Sequence, residues 1–183
     1  GVQDAINDFF VGCKNDGTWD AIKASCILAG ARTLNGALVP LVGTAPTNFN
    51  FVSADYDRET GLVSNGSTKY LDSNRANNAD PQNSKHLSTY KTSDTTSGSA
   101  GGGAIGNNTV QAGSSWIFDG FSTGSDTYRV NASSSIVVGS SSTYPSIGFI
   151  GASRNNSSQS SIRYSSSIVI DSSSSVSPAS ENI

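Results

Sequence analysis

Residues 114–121, SSWIFDGF, alternate in the way a β-strand does. In an extended chain Trp116 and Phe118 point to one side of the strand, and Ile117 and Asp119 point to the other. Together with the aromatic and β-branched content, this period of two predicts a half-buried strand. Similar short runs follow one another beyond the first 37 residues, at intervals of about ten, separated by Gly, Pro, Asn, Asp and Ser. Such spacing is typical of a β-sandwich or a β-barrel.

An Asn65-Gly66 pair lies within residues 61–74, GLVSNGSTKYLDSN. Both residue types tolerate the positive φ angles that the central positions of a tight β-hairpin turn require. We therefore predict a two-residue turn here, followed by a strand that places Tyr70 on one face and Leu71 on the other.

The first 30 residues follow a helical period instead. Apolar residues fall three and four positions apart, before and after a predicted turn at residues 14–17, KNDG. Thr18 is a suitable N-cap for a second helix, and Gly30 can adopt the left-handed conformation that ends one. The pattern predicts a helical hairpin segment in residues 1–36, followed by a β-sandwich domain in residues 37–183. The apolar positions are Val2, Ile6, Phe9, Phe10, Cys13, Trp19, Ile22, Cys26 and Ala29.

Cys13 and Cys26 fall on two of those apolar helical positions. This context favours small buried hydrophobic residues. The alternative is a single disulfide bond, if the chain is secreted.

The composition is polar but weakly charged. Of 183 residues, 35% are apolar and 14% are charged, and the net charge is -3 with 11 scattered Lys and Arg residues. No basic patch that would attract a nucleic acid or a membrane surface is formed. The longest apolar run, residues 37–43, is too short to span a bilayer, and the N-terminus lacks the pattern of a signal peptide. We expect no nucleic-acid partner and no membrane insertion.

Residues 131–180 are rich in serine, yet isoleucine, valine and aromatic residues form strand-like runs among the serines. We expect the serines to lie at outward positions of the strands. There their hydroxyl groups can form hydrogen bonds with sugars.

No catalytic motif is present in the sequence. Residues 101–106, GGGAIG, match GxGxxG but lack the preceding strand and following helix of a dinucleotide site. His86 is the only histidine, and no serine lies in a GxSxG motif. The two glutamates, Glu59 and Glu181, do not form the ExDxxE motif of β-sandwich glucanases. We predict that the protein is not an enzyme and uses no cofactor.

One acidic group is a candidate for metal binding. Residues 55–59, DYDRE, can offer calcium the carboxylate oxygens of Asp55, Asp57 and Glu59 if they alternate along a strand. The group lacks the ligand count of an EF-hand and contains Arg58, so the absence of a metal is the favoured interpretation.

Residues 21–74, AIKASCILAGARTLNGALVPLVGTAPTNFNFVSADYDRETGLVSNGSTKYLDSN, resemble a module of tail and other appendage proteins of bacteriophages, including cyanophages and marine phages. The resemblance extends through residues 77–90, NNADPQNSKHLSTY, and residues 148–164, GFIGASRNNSSQSSIRY. It implies a mainly β fold, a concanavalin A/laminin G-like jelly-roll β-sandwich preceded by the N-terminal α-helical hairpin. The family contributes no catalytic motif.

The resemblance also implies a location and partners. We expect a virion structural protein, assembled in the host cytoplasm, which contacts other virion proteins and forms a homo-oligomer, with a trimer favoured. The chain stops at residues 177–183, SPASENI, where such modules continue through further strands. We therefore expect the last strands of the sandwich to be missing or supplied by another chain.

Host attachment is the expected role, and host-surface glycan is a candidate partner. Tyr56, Tyr90, Trp116 and Tyr144 are aromatic candidates that can stack on sugar rings, and a core position is the alternative for each. The alternatives to a tail fibre or appendage are a lectin-like glycan-binding module and a capsid decoration protein. An enzyme that acts on surface polysaccharide is the least supported of these interpretations.

Overall fold

The computed structural model describes the chain in two compact units. The first unit contains residues 1–65 and 69–73, and the second contains residues 66–68 and 74–183. The predicted boundary after residue 36 falls inside the first unit. The described residues are 1–93, 102–107, 111–121, 125–140, 147–164 and 167–183.

The first unit combines helices with three small antiparallel sheets. Its helices are α1 (Val2–Asn15) and α2 (Leu34–Ala37), with 3-10 turns at Trp19–Ala21 and Ser53–Asp55. The pairs are β1 with β2, β3 with β6, and β4 with β5. Its strands are β1 (Ser25–Cys26), β2 (Pro40–Val42), β3 (Thr47–Phe49), β4 (Tyr56–Asp57), β5 (Gly61–Leu62) and β6 (Tyr70–Asp72).

The first helix of the predicted hairpin is present, but the second is not. Thr18 precedes only the 3-10 turn at Trp19–Ala21 and makes no side-chain capping bond there, and its hydroxyl donates a hydrogen bond to Cys13 O over 3.2 Å. Ile22 is extended, and the chain enters β1, where Cys26 pairs with Pro40 of β2. The prediction of a second helix was therefore wrong, because strand pairing overrides the modest helix propensity of this segment.

The predicted hairpin turn at Asn65-Gly66 was also wrong. Gly66 has the expected positive φ of 69°, but β5 and β6 pair with different strands. Asn65 Oδ1 accepts a hydrogen bond from Lys69 N–H over 3.0 Å, and Ser64 Oγ donates to Lys69 O over 2.7 Å. These side-chain hydrogen bonds stabilise a wider loop in place of a two-residue turn.

The second unit contains two four-stranded antiparallel sheets. In the first sheet the strand order is β11-β10-β9-β8, and in the second it is β14-β13-β12-β7. The whole first sheet therefore lies in sequence between two neighbouring strands, β7 and β12, of the second. The strands are β7 (Lys85–Lys91), β8 (Gly102–Gly106), β9 (Ser115–Phe121), β10 (Ser125–Val130), β11 (Ile136–Ser140), β12 (Gly148–Arg154), β13 (Ser160–Tyr164) and β14 (Ser167–Asp171).

The two sheets of the second unit share one hydrophobic core. Each full burial of a large apolar side chain stabilises the fold by about 1.5–3 kcal/mol. The strand predicted within residues 114–121 is present as β9, but it is not half-buried, since Ile117 faces this core and Trp116 on its other side is buried as well. The buried cluster consists of Ile117, Tyr128, Val130 and Val138 from the first sheet and Ile150, Ala152, Ile162 and Tyr164 from the second.

The prediction of a mainly β protein with an N-terminal helix is confirmed. Only three residues separate β9 from β10, and two separate β13 from β14. Connections this short make successive strands antiparallel neighbours.

No helix among the described residues is long and apolar enough to cross a membrane.

The C-terminal residues of the second unit run along the edge of the core. Asn77 N–H donates to Glu181 O over 2.8 Å, and Val176 N–H donates to Asn131 O over 2.8 Å. Asn77 and Asn131 are both fully buried. The segment also forms isolated antiparallel bridges, Ala76 with Asn182 and Ala132 with Ser175.

Candidate binding site

The outward side of the second sheet is the strongest candidate for a functional site. Side chains alternate between its two faces, so every second residue points away from the shared core. We call this surface the outer face. It consists of His86, Ser88 and Tyr90 on β7, Phe149, Gly151 and Ser153 on β12, Ser161 and Arg163 on β13, and Ile168 and Ile170 on β14.

The strand register orders these residues into three rows across the sheet. Each row crosses the sheet from β7 towards β14. The two edge strands, β7 and β14, contribute the most exposed apolar side chains. The middle strands contribute hydroxyl groups and one guanidinium group. The rows are Tyr90–Phe149, Ser88–Gly151–Arg163–Ile168 and His86–Ser153–Ser161–Ile170.

Large apolar side chains on the outer face are open to solvent. Tyr90 is 70% exposed, Ile170 is 65% exposed and Ile168 is 55% exposed. Phe149, directly opposite Tyr90, is also exposed. Single exposed apolar residues are ordinary, but a group of them on one sheet face is typical of an interaction surface.

Gly151 leaves room for two aromatic rings beside its backbone. A Cβ atom at this position would lie 2.9 Å from Phe149 Cζ and 3.0 Å from His86 Cε1. Both rings therefore lie where a side chain at this position would be, and Phe149 remains partly exposed. A glycine covered by neighbouring rings is a known way to maintain strand packing without a side chain.

His86 is tied to the same surface. Its Nδ1 and Ser153 Oγ lie 2.7 Å apart and share a hydrogen bond across the β7–β12 pair. Packing against the sheet removes water from part of the ring, and this desolvation lowers the pKa of His86 from its ordinary value. The imidazole is therefore neutral at pH 7 and offers hydrogen bonds without adding charge.

The residues predicted to contact glycan have different surroundings. Tyr90 is on the outer face, whereas Tyr144 lies outside the described residues. Trp116 is only 3% exposed, because Arg129 lies over its ring and Phe118 packs edge-on against it. A buried ring cannot stack on a sugar, so the prediction for Trp116 was wrong. Tyr56 is half-buried, and its hydroxyl donates to the carbonyl oxygen of Ala31 over 2.9 Å.

The acidic group at residues 55–59 does not lie along one strand. Asp55 ends a 3-10 turn, Asp57 ends β4, and Glu59 lies in the turn before β5. The alternation on which the calcium hypothesis depended is therefore absent. Within the described parts of the chain, no group of three or more His, Cys, Asp or Glu side chains could hold a metal ion.

The two aspartates have structural partners in the first unit. Asp55 binds Lys69 Nζ over 2.5 Å and accepts the Val52 N–H, and these contacts lower the pKa of its carboxyl. The backbone N–H groups of Thr60 and Glu59 lower the pKa of Asp57. Asp55, Asp57, Asn65 and Lys69 border an open depression of about 370 Å³. The hydrogen bonds of Asp55 and Asp57 indicate that these two residues stabilise the loop.

The first unit also exposes an aromatic pair. Phe49 of β3 and Tyr70 of β6 stack with ring centroids 4.5 Å apart and an interplanar angle of 9°. Each ring covers one face of the other, so this pair offers less open aromatic surface than Tyr90.

Both cysteines are free thiols, and Cys26 Sγ donates a hydrogen bond to Ala37 O over 3.0 Å.

Sequence reasoning missed most of the outer face. Phe149, Ile168 and Ile170 lie in segments predicted as strands. The sequence does not show which face of each strand is buried, and it does not show the register that brings outward residues side by side. The expectation of outward serines holds for Ser153 and Ser161, whereas the neighbouring Ser160 is buried.

Comparisons with protein-family models, curated proteins and solved structures found no match to this chain.

Proposed function

We propose that this protein is a structural module of a bacteriophage virion, part of a tail fibre or another appendage, and that its outer face attaches to glycan on the host surface. The resemblance of residues 21–74 to phage appendage modules supports the virion part of the proposal. The outer face supports the attachment part. The two parts are tested separately.

The observation that carries the attachment proposal is the open aromatic surface of Tyr90 beside a row of polar groups. An exposed ring presents an apolar face, and the tyrosine hydroxyl can donate and accept hydrogen bonds. Ser88, Ser153 and Ser161 add hydroxyl groups in neighbouring rows. Sugars have both apolar C–H faces and hydroxyl groups, so this combination suits them.

The outer face suits binding rather than hydrolysis. Glycoside hydrolases require two carboxyl groups placed on either side of the scissile bond. The outer-face residues include one cation, Arg163, and no aspartate or glutamate. The proposed role is therefore recognition of a glycan without cleavage.

Self-association as a trimer is part of the proposal. Helix α1 contains no buried residue, and Val2, Phe9 and Val11 are all exposed on it. Exposed apolar side chains on an amphipathic helix support contact with another subunit. Analytical ultracentrifugation of the full chain and of Phe9→Asp tests this, because we expect a trimer for the first and a smaller species for the second. A folded monomer of the unchanged chain at all concentrations would contradict self-association.

Location in the virion is tested by labelling. A gold-conjugated antibody against the protein, applied to intact particles and imaged by electron microscopy, should mark tails or fibres. Gold over the head would instead indicate a capsid decoration protein, and no gold on any particle would contradict the virion proposal.

Glycan recognition is tested with the purified chain on a glycan array. Tyr90→Ala should weaken any binding about tenfold or more, because exposed aromatic anchors contribute most of the energy at such surfaces. Val137→Ala is the matched control, since Val137 is an exposed apolar residue on a strand of the other sheet, β11. Equal weakening by both variants, or no binding by the unchanged chain, would contradict the proposed site.

A further inference from the structure

Lys85 is a buried lysine whose amine is hydrogen-bonded to an asparagine. It begins β7 and is only 6% exposed. Its Nζ donates to the backbone oxygen and to the side-chain Oδ1 of Asn77, each over 2.6 Å. Within the described part of the chain no carboxylate lies at ion-pair distance from this amine. Buried lysines are usually paired with a carboxylate, so its amide partner is unusual.

The Asn77 carboxamide is held in place from its other side. Asn77 is fully buried, and its Nδ2 donates to Gly113 O over 2.8 Å. The same nitrogen lies 3.3 Å from both Asn131 Oδ1 and Ala179 O. Because the nitrogen is anchored by these acceptors, the amide oxygen stays turned towards the Lys85 amine.

The Lys85 amine lies beside the amide group that it would attack. The Lys85 Nζ lies 2.6 Å from Asn77 Oδ1. A C=O bond is about 1.2 Å long, so the nitrogen lies at most about 3.8 Å from Asn77 Cγ. Groups fixed at about 3–3.5 Å can react with effective concentrations far above those in solution.

Burial also changes the protonation of the amine. Desolvation lowers the pKa of Lys85 to about 8, although Asp80 opposes the shift. At pH 7 about a tenth of the amines are then neutral, compared with well under one in a thousand for an exposed lysine. Only the neutral amine has the lone pair needed for nucleophilic attack.

We propose that Lys85 and Asn77 form an intramolecular isopeptide bond. The lone pair of the neutral Nζ attacks Cγ of Asn77, a bond between Nζ and Cγ forms, and the bond between Cγ and Nδ2 breaks. A proton from the attacking amine passes to the departing nitrogen, which leaves as ammonia. The step needs no oxidant, reductant or further reactant.

The bond would fasten the turn at residues 77–79 to the start of β7. Asn77 also receives the C-terminal segment, through its N–H bond to Glu181 O. A covalent link at this point would resist opening of the region where the segment docks. This inference does not depend on glycan binding or on a virion location.

Mass spectrometry of the intact, folded chain tests the proposal, after incubation at a pH near the Lys85 pKa of about 8. We expect a mass lower than that of the sequence by one ammonia molecule. Trypsin should fail to cleave after Lys85, and it should release residues 76–91 as one peptide in which the bond between residues 77 and 85 closes a ring. An unchanged mass with normal cleavage after Lys85 would overturn the proposal.

Loss of ammonia from another asparagine would give the same mass, so two variants separate the sources. Lys85→Arg should keep the full mass, because a guanidinium group remains protonated. Lys69→Arg is the matched control and should lose ammonia like the unchanged chain, since Lys69 pairs with Asp55 elsewhere. Ammonia loss that persists in Lys85→Arg, without the ring-containing peptide of residues 76–91 in the unchanged chain, would also overturn the proposal.

Discussion

The two faces of the second sheet are built on the same four strands but differ in how far their apolar side chains are buried. The inner face places Ile150, Ile162 and Tyr164 in the shared core, each at most 1% exposed. The outer face leaves Tyr90 and Ile170 mostly exposed. Formation of the core explains the apolar residues of the inner face alone. The large apolar residues on the second face add little to the core, and this difference is the reason to assign them a binding role.

The largest expected effect separates the two faces by stability. Ile162→Ala removes a fully buried side chain and should lower the free energy of unfolding by about 2–5 kcal/mol. Ile170→Ala, on the neighbouring strand, removes an exposed one and should change it by about 0.5 kcal/mol or less. Urea unfolding followed by fluorescence measures both. Equal losses would mean that the outer face is covered within the fold.

A matched pair of arginines tests the same contrast for polar groups. Arg154 is buried on the inner side, and its guanidinium donates to Val130 O over 2.7 Å and Ser173 O over 2.8 Å. Arg154→Met leaves these buried acceptors without donors and should cost about 1–3 kcal/mol. Arg163→Met on the outer face should cost about 1 kcal/mol or less. If both substitutions have the same effect in urea unfolding, the contrast between the faces fails.

Gly151→Ala should alter the outer face while sparing the core. The new Cβ would meet the far ends of the Phe149 and His86 rings, which can swing away. We expect a change in unfolding free energy of about 1 kcal/mol or less, together with weaker glycan binding. Isothermal titration calorimetry with a glycan identified on the array measures the binding. Unchanged affinity would show that ring placement on this face does not matter.

The smallest expected effect is a dependence of stability on pH. Because the pKa of His86 is lowered in the fold, the unfolded chain takes up a proton first as the pH falls below the ordinary value of 6.5. Stability contributed by the neutral ring is therefore complete above that pH and decreases as the pH falls. Thermal unfolding of His86→Gln should show a flatter decrease below pH 6.5 than the unchanged chain. An equal decrease of stability in both proteins would mean that other groups cause the pH dependence.

The alternation of residues 114–121 was enough to predict a strand, because a period of two requires only local geometry. It was not enough to decide which ring would be exposed. Trp116 is buried because Arg129 of the neighbouring strand lies over it, and that contact depends on the register between β9 and β10. Tyr90, one of the glycan candidates, is exposed, but its partner Phe149 lies 59 positions later in the chain.

The errors of prediction have a common physical cause. Residues 18–30 have a helical spacing of apolar residues, yet Cys26 pairs with Pro40 as a strand. Asp55 and Asp57 were considered as metal ligands, yet nearby backbone N–H groups and Lys69 occupy their oxygens. In each case a contact between separate segments, or a turn fixed by side-chain hydrogen bonds, replaced the structure suggested by the local pattern.

The central claim, that the outer face attaches to the host surface, is tested most directly by measuring how fluorescently labelled protein binds to host cells. The unchanged chain and Val137→Ala should bind equally, and Tyr90→Ala should bind about tenfold or more weakly while keeping the same unfolding free energy. Equal binding by all three proteins, or an equal loss in both variants, would contradict the claim.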